Sequence, residues 1–583
     1  MIKLIAIIIL FIPPVCFSQA VLSTEQQTGF ESISSEEIFS NISFLASDSL
    51  KGRATGSDEN LIAGMFIARK FYEYGLEPIN STASKYPHKE ELLNESLDIK
   101  NSNIYNGYFQ KFNLKKSSLS NRNYLSINEK RNETEKTINY DFGIDFLLQY
   151  NSAKNIKVTA TLVFVGYGIV DEANGYNDYK NSDGFIIDVR NKIVVIVDGY
   201  PQENDTTSIF NKKRKAAYIN PRTKSEAALE RGALAVILIS SPIKTDPPIS
   251  IKYEKLTNSF EREFFHLPEL ERESLPVIYA SKSFTSELFN NTGIKLLEKI
   301  KHIDSTLTPA SFTIENKSVS FEINFDQSLV PTQNVLGFIE GSDPELKEEV
   351  VVIGAHYDHI GLGNYGAMDS SQKGEIHNGA DDNASGTCGL IELAEAFSKA
   401  KPKRSVLFIA FSAEENGILG SRYYADVQPV KPLDKTVAML NLDMIGRNEP
   451  ELLWIGGAFY GDDIKSIVEE ANENIGFELL YNVGLLNFAS DQGPFLKKEI
   501  PSIFFFAGLH DDYHTPGDDI EKLDIKKIEK VSKLAYLTGR IIGDTKIYPK
   551  YRALSMDEKT ALVKESLERQ RKIRIETEKT TIN

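Results

Sequence analysis

Cysteine is almost missing: 583 residues hold only Cys16 and Cys388. With one of the two in the leader, no internal disulfide can form in a processed chain, and stability has to come from burial. Cys388, two residues after Gly386 in a helical apolar pattern, reads as a small buried side chain. A basic excess is missing too. Lys and Arg number 66 against 82 Asp and Glu, the net charge is −16 and the pI is about 5.2. That excludes the electropositive face of a general nucleic-acid binder. Past the first residues no apolar run approaches the ~20 residues of a membrane-spanning helix, so no stable span is expected. Repeats and low-complexity tracts are absent. What remains is a composition of 41% hydrophobic and 25% charged residues, that of a folded protein, in a chain long enough for two or more domains.

The first 18 residues read as an address label. Lys3 precedes the apolar run 4–12, Pro13 and Pro14 break it, and Cys16-Phe17-Ser18 sets small residues before a cut at Gln19. The expectation is a signal peptide and an exported protein, periplasmic or extracellular. A lipoprotein anchored through Cys16 is the weaker reading, because Pro14 and Val15 precede the cysteine.

Residues 33–78 read as helical, with a loop at 51–57 and a second helix whose stripe is Ala63, Phe66, Ile67 and Phe71. Residues 79–105 are polar and read as a surface excursion. Between 140 and 310 the character is β-rich, with short apolar runs at 158–165, 192–197 and 235–239. From 325 to 550 strand and helix alternate: apolar runs at 350–353, 406–411, 437–442 and 503–506 are separated by helices at 387–397, 462–474 and 525–542. Continuous apolar runs suit strands buried on both faces. The fold class expected is therefore α/β, a mostly parallel (mixed) central sheet with helices on both faces, interrupted by a smaller β-rich domain. The segments are a leader (1–18), an N-terminal part (30–115), an insert (140–310), the α/β domain (325–550) and a charged helical tail (551–583).

Acids and histidines follow these runs. The pieces are His356-Tyr357-Asp358, Gly379-Ala380-Asp381-Asp382-Asn383, Ala413-Glu414-Glu415-Asn416, Asn441-Leu442-Asp443-Met444 and Tyr513-His514-Thr515-Pro516. In open α/β sheets the ligand crevice lies outside the carboxyl ends of the strands, so residues far apart in sequence converge there. The set offers nitrogen and carboxylate oxygen, which suits zinc. Taken singly each piece has a plainer reading: Glu414-Glu415 as acids at a helix start, Asp381-Asp382 as an N-cap, His514-Thr515-Pro516 as a turn. Convergence at strand ends outweighs these. His359, His377 and His510 read as exposed polar residues, Arg53 as a tie between the N-terminal loop and the sheet domain, and Trp454 as core.

The five pieces, in this order, resemble the co-catalytic di-zinc aminopeptidases, the family that includes glutamate carboxypeptidase and the transferrin receptor. The resemblance covers roughly residues 33–78 and 330–545. It implies two zinc ions per chain: His356 and Asp443 on one, Glu415 and His514 on the other, Asp382 bridging. Glu414 is implied as general base and Asp358 as the carboxylate that orients His356. Gly166-Tyr167-Gly168, Asp178-Tyr179, the run 192–197 and Gly232-Ala233 resemble a protease-associated domain, which is implied to shape substrate access. Many relatives carry Ser-Asp-His where this chain has Ser490-Asp491-Gln492. Tyr513, Asp491 and Gln492 are the candidates for substrate contact, and the glutamine puts substrate preference in question. The function implied is an exopeptidase acting on peptides or proteins, foremost an aminopeptidase. The alternatives are a carboxypeptidase of the same family, then a single-zinc glutaminyl cyclase, then a non-catalytic receptor-like binding protein.

Overall fold

Alternate side chains of one strand enter two different cores in the α/β part of the chain. Val351, Ile353 and Ala355 pack into a core with helices on one face of the sheet, and Val350 and Val352 into a second core on the other. Strands buried on both faces cannot alternate polar with apolar, which is why their sequences are unbroken runs. The structure, a computed structural model, describes residues 22–79, 105–131, 134–149, 154–211, 215–259, 262–482, 488–546 and 548–582. The leader with Cys16, and nearly all of the polar excursion at 79–105, lie outside the described residues.

Two compact units divide the chain, one made of 1–113 and 330–583, the other of 114–329. The second is wider at both ends than the expected insert of 140–310. Its eight-stranded sheet takes in Tyr124–Arg131, Thr134–Tyr140 and Phe312–Ile323. None of the three contains a continuous apolar run, and Phe312–Ile323 alternates polar with apolar residues from Ser318 on. The expected runs do form strands, at Ile156–Phe164, Ile193–Val197 and Ala235–Ile239, and the three pair in parallel.

The strands of the first unit are β1 (Phe325–Ile339, of which residues from Val330 on belong to it), β2 (Val350–His356), β3 (Ser405–Phe411), β4 (Thr436–Leu442), β5 (Leu452–Gly456), β6 (Glu478–Asn482) and β7 (Ser502–Phe506). Their order across the sheet is β1-β3-β2-β4-β7-β5-β6. The central four, β3, β2, β4 and β7, are parallel, while β1 and β5 run antiparallel to their neighbours β3 and β7. The helices are α1 (Thr24–Ser32), α2 (Ser35–Leu45), α3 (Asp58–Glu73), α4 (Gly386–Lys399), α5 (Ile464–Asn472), α6 (Gln492–Lys497), α7 (Ile525–Asp544) and α8 (Met556–Ile582). Ser34 caps α2 by accepting from the Glu37 amide at 3.2 Å, and Ser57 caps α3 by accepting from Asn60 at 3.0 Å. Helix α4 is buried along Leu390, Leu393, Ala394 and Phe397 as its spacing predicts, against Ile528, Val531 and Ala535 of α7 and the sheet face. Cys388 is buried as expected. Trp454, expected in the core, is only half-buried on β5.

Candidate metal centre

Strand register fixes where the acids emerge. His356 ends β2 and is level with Phe411 of β3; Gly354 pairs with Asn441 of β4, so Asp443 lies level with His356. Glu414 and Glu415 follow β3 after a sharp reversal at Ala413, which has a φ of +62°. Met444, directly after Asp443, and His514 also have positive φ, 54° in both. Non-glycine residues in this region cost roughly 1–3 kcal/mol each and persist where surrounding contacts dictate them. They sit beside the acids and aim those side chains at one point.

The pieces meet around Asp382. His356 Nε2 lies 3.2 Å from Asp382 Oδ1 and 3.4 Å from Asp443 Oδ1. His514 Nε2 lies 3.1 Å from Asp382 Oδ2 and 3.1 Å from Glu415 Oε2. One carboxylate thus turns one oxygen to each of two groups, His356–Asp382–Asp443 and His359–Asp382–Glu415–His514, and the donor atoms within a group lie within 4.8 Å of one another. Ligand atoms about 2.0–2.2 Å from a shared tetrahedral zinc are spaced by roughly 3.3–3.5 Å, so the donor set and spacing fit two such ions. Asp443 Oδ1 and His514 Nε2 are buried with no hydrogen-bond partner, as expected of atoms reserved for a metal. Asp381 faces elsewhere, accepting from the Gly446 amide at 2.7 Å with its other oxygen 3.4 Å from His510.

The same segment carries a sequence signature: residues 334–538 match Peptidase family M28. The chain contains a peptidase M28 domain. Aminopeptidase YwaD of Bacillus subtilis (strain 168) is 29% identical over 215 residues, 35% of this chain and 43% of that protein. Leucine aminopeptidase 2 of Arthroderma otae is 25% identical over 248 residues, 37% of this chain and 46% of that protein. The chain thus spans less than half the length of these curated relatives. Among solved structures, an aminopeptidase from Aneurinibacillus sp. strain AM-1 aligns over 91% of this chain and 98% of its own, with 19% identity and a TM-score of 0.49.

Within the M28 domain the loops are tied from below. Arg53, 1% exposed, donates to the carbonyls of Leu45, Tyr357, Asn378 and Gly379, joining the His356 and Asp382 loops to the N-terminal segment. This is the tie that its sequence position suggested. Asp518 accepts from the amides of Asp381 and Asp382, at 3.0 Å each. Asn383 spans two elements, donating to the Leu442 carbonyl at 3.0 Å and accepting from the Met444 amide at 3.2 Å.

Three placements differ from the sequence expectations. The Nδ1 of His356 pairs with the backbone carbonyl of Asp358 at 3.1 Å, while the Asp358 carboxylate stands 3.8 Å away. That carboxylate accepts from the Glu414 amide at 3.1 Å and the Thr55 hydroxyl at 2.9 Å, so it orients the Glu414 loop. Gln492, expected beside the substrate, is 0% exposed, with its Oε1 held by Asn441 Nδ2 at 3.0 Å. Asn441 also donates to Ser490 at 2.9 Å, and Ser490 donates to Asp443 Oδ2 at 2.6 Å. The glutamine therefore anchors a chain of hydrogen bonds that ends on the Asp443 carboxylate. His359 and His377 are buried rather than exposed, and His359 Nδ1 is 2.6 Å from Glu415 Oε1. Ser490 and Asn441 lie inside the sequence pieces without an assigned role and His359 directly after one; only tertiary closure gives them their partners. Tyr513 is half-buried and stacks on His514, ring centroids 3.9 Å apart.

Burial and charge divide the acids of the M28 domain. Burial, reinforced by Glu415, Asp491 and Asp443, pushes Glu414 well above the usual carboxylate range. Glu415 is lowered to about 2, because His514 and His359 outweigh burial and the Asp382 charge. Asp382, opposed by burial but contacting His356 and His514, is held well below its usual value. Asp358 is raised to about 6 and Asp491 to about 7, burial leading in both. Asp491 is 0% exposed and neither of its oxygens has a hydrogen-bond partner.

Proposed function

We propose that this protein is an exported two-zinc exopeptidase, acting as an aminopeptidase on peptides. The observation that carries the reading is Asp382, with one oxygen in each of two ligand sets and Glu414 beside them. His356, Asp382 and Asp443 would hold one zinc; Asp382, Glu415 and His514 would hold the other. When bound, such a pair lowers the pKa of water to near neutrality and polarises a peptide carbonyl. Glu414, with Oε2 4.0 Å from His356 Nε2 and its side chain 14% exposed, is placed to take the proton of the attacking water and return it to the leaving amine. Asp358 holds the backbone of Glu414 in register. Tyr513, stacked on His514, is the side chain placed to meet substrate, and the charge of Asp491 adds to the basicity of Glu414.

Charge distinguishes the two ends of a peptide. Asp358, Asp382, Glu414, Glu415, Asp443 and Asp491 would outnumber the positive charges of two zinc ions, which supports a substrate that brings an ammonium over one that brings a carboxylate. This supports aminopeptidase over carboxypeptidase action, in line with relatives named aminopeptidases. The leader supports export, and no helix among the described residues is long and apolar enough to cross a membrane. For the insert, we retain the reading of a protease-associated domain.

The test is a panel of aminoacyl chromogenic substrates and short peptides, with the zinc-loaded protein, reading which end is cut. Release of N-terminal residues that a chelator abolishes is expected. Release from the carboxyl end would favour the carboxypeptidase, and one zinc per chain with cyclisation of N-terminal glutamine would favour the cyclase. No turnover on a fully loaded protein would favour the receptor-like reading.

A further inference from the structure

We propose that His359 is a positioning residue for the second metal: it binds one oxygen of Glu415 so that the other is presented to the ion. The inference rests on the two-zinc reading above. Nδ1 of His359 lies 2.6 Å from Glu415 Oε1 and 3.9 Å from Asp382 Oδ2. The atoms facing the metal position behave differently. His514 Nε2 is 3.1 Å from both Asp382 Oδ2 and Glu415 Oε2, near the spacing of ligands that share an ion. A separation of 2.6 Å is too short for two ligands of one zinc and is the length of a charge-assisted hydrogen bond. Nδ1 of His359 therefore carries the proton and donates to Oε1, leaving Oε2 for the metal.

The pocket for this ring is built. His359 is 1% exposed, and its ring stands edge-on to His514, centroids 5.5 Å apart at 80°. Gly379, with a φ of +58°, leaves room for it: a Cβ there would lie 2.5 Å from the His359 ring carbons. Nε2 of His359 has no hydrogen-bond partner, so Glu415 alone sets the tautomer. The arrangement parallels the first metal position, where Ser490 holds the outer oxygen of Asp443. Each non-bridging carboxylate ligand thus has one oxygen occupied by a donor that is not itself a ligand. Such partners fix denticity and direction, and losing one costs about 10–100-fold in metal affinity.

Two full-length variants of nearly equal side-chain shape separate donor from packing. His359→Leu fills the space without a donor; His359→Asn places an amide N–H close to where Nδ1 lies. Chelator competition on the zinc-loaded proteins should show one of the two ions released about 10–100-fold more readily from His359→Leu, the other unchanged, with His359→Asn recovering most of the loss. With Co²⁺ in place of zinc, the visible bands of fully loaded His359→Leu should match the wild type in energy, because no ligand has been removed. Equal release from wild type and His359→Leu overturns the proposal. So does a His359→Asn protein as weak as His359→Leu, or a Co²⁺ spectrum showing loss of a nitrogen ligand. If both variants fail to fold by circular dichroism, packing rather than the donor is decisive and the proposal also falls. A wild-type protein that binds fewer than two ions removes the two-zinc reading itself, whereas two ions released equally from wild type and His359→Leu remove this inference alone.

Discussion

Glu392→Gln should make the protein more stable at pH 8 and leave it nearly unchanged at pH 5. Glu392 lies on α4 and is 0% exposed. Its Oε2 accepts from the Ser34 amide at 3.0 Å, at the start of α2, while Oε1 has no partner. Burial, with the neighbouring Glu37 and Glu395 carboxylates adding to it, raises Glu392 from 4.5 to about 8, against the opposing Ser34 amide. A raised carboxyl binds more protons in the folded than in the unfolded chain between those two values. Stability is therefore fully present below pH 4.5 and lost as pH rises toward 8, by about 1.4 kcal/mol per unit at the steepest. Over the whole window the loss is on the order of 3–5 kcal/mol. Glutamine keeps the acceptor for Ser34 and cannot ionise, so it escapes that loss. The assay is denaturant unfolding of wild type and variant at matched pH values from 5 to 8, both treated with chelator so that metal affinity does not enter. The stability difference should grow with pH. A difference that stays constant across the range would show that Glu392 does not titrate in this window, and would refute the linkage.

Glu414→Gln should retain both metals by elemental analysis and lose about 10²–10⁴-fold in kcat, the usual contribution of a positioned base; full activity would refute the assignment. Ser490→Ala removes the 2.6 Å hydrogen bond to Asp443. It should weaken one metal position by about 10–100-fold in chelator competition, with little change in thermal stability of the metal-free protein. Metal-free protein should lose stability as pH rises, from 3.8 to about 6 through Asp358 and to about 7 through Asp491, since both are raised acids. Zinc favours their ionised forms, so the gap in Tm between loaded and metal-free protein should widen over that range; a gap independent of pH would contradict it.

The α/β part was legible because doubly buried strands leave a signal that nothing else in the chain imitates. Residues 350–353, 406–411, 437–442 and 503–506 all lie in observed strands, and the acids after them stand at the carboxyl edge where doubly wound sheets bind ligands. Strands with one solvated face were not legible in the same way: in Phe312–Ile323, Lys317, Val319, Phe321 and Ile323 are buried while the residues between them are more exposed. The same limit applies inside the site. His359 follows a strand in a polar turn, and its burial comes from the Gly379 loop, more than a dozen residues on. Gln492 is expected from the sequence resemblance to lie beside the substrate. The structure turns its amide to Asn441, making it a support for Asp443.

Six buried or nearly buried carboxyls against three histidines cannot all remain charged without added cations, because an unpaired buried charge is costly. Asp358, Glu414, Asp443 and Asp491 are all raised, and only Asp382 and Glu415, the two in contact with His514, are lowered. Two divalent ions would supply the missing positive charge. The imbalance also divides labour between neighbours. Glu415 is pushed down and Glu414 up, although they are adjacent in sequence: Glu415 meets His514 and His359 at hydrogen-bond distance, whereas burial and the charges of Glu415, Asp491 and Asp443 raise Glu414 against His356, 4.0 Å away. Adjacent acids driven in opposite directions is the pattern by which one residue becomes a fixed ligand and the next a proton carrier. On the proposed two-zinc reading, the tight turn at the end of β3 is what would separate ligand from base.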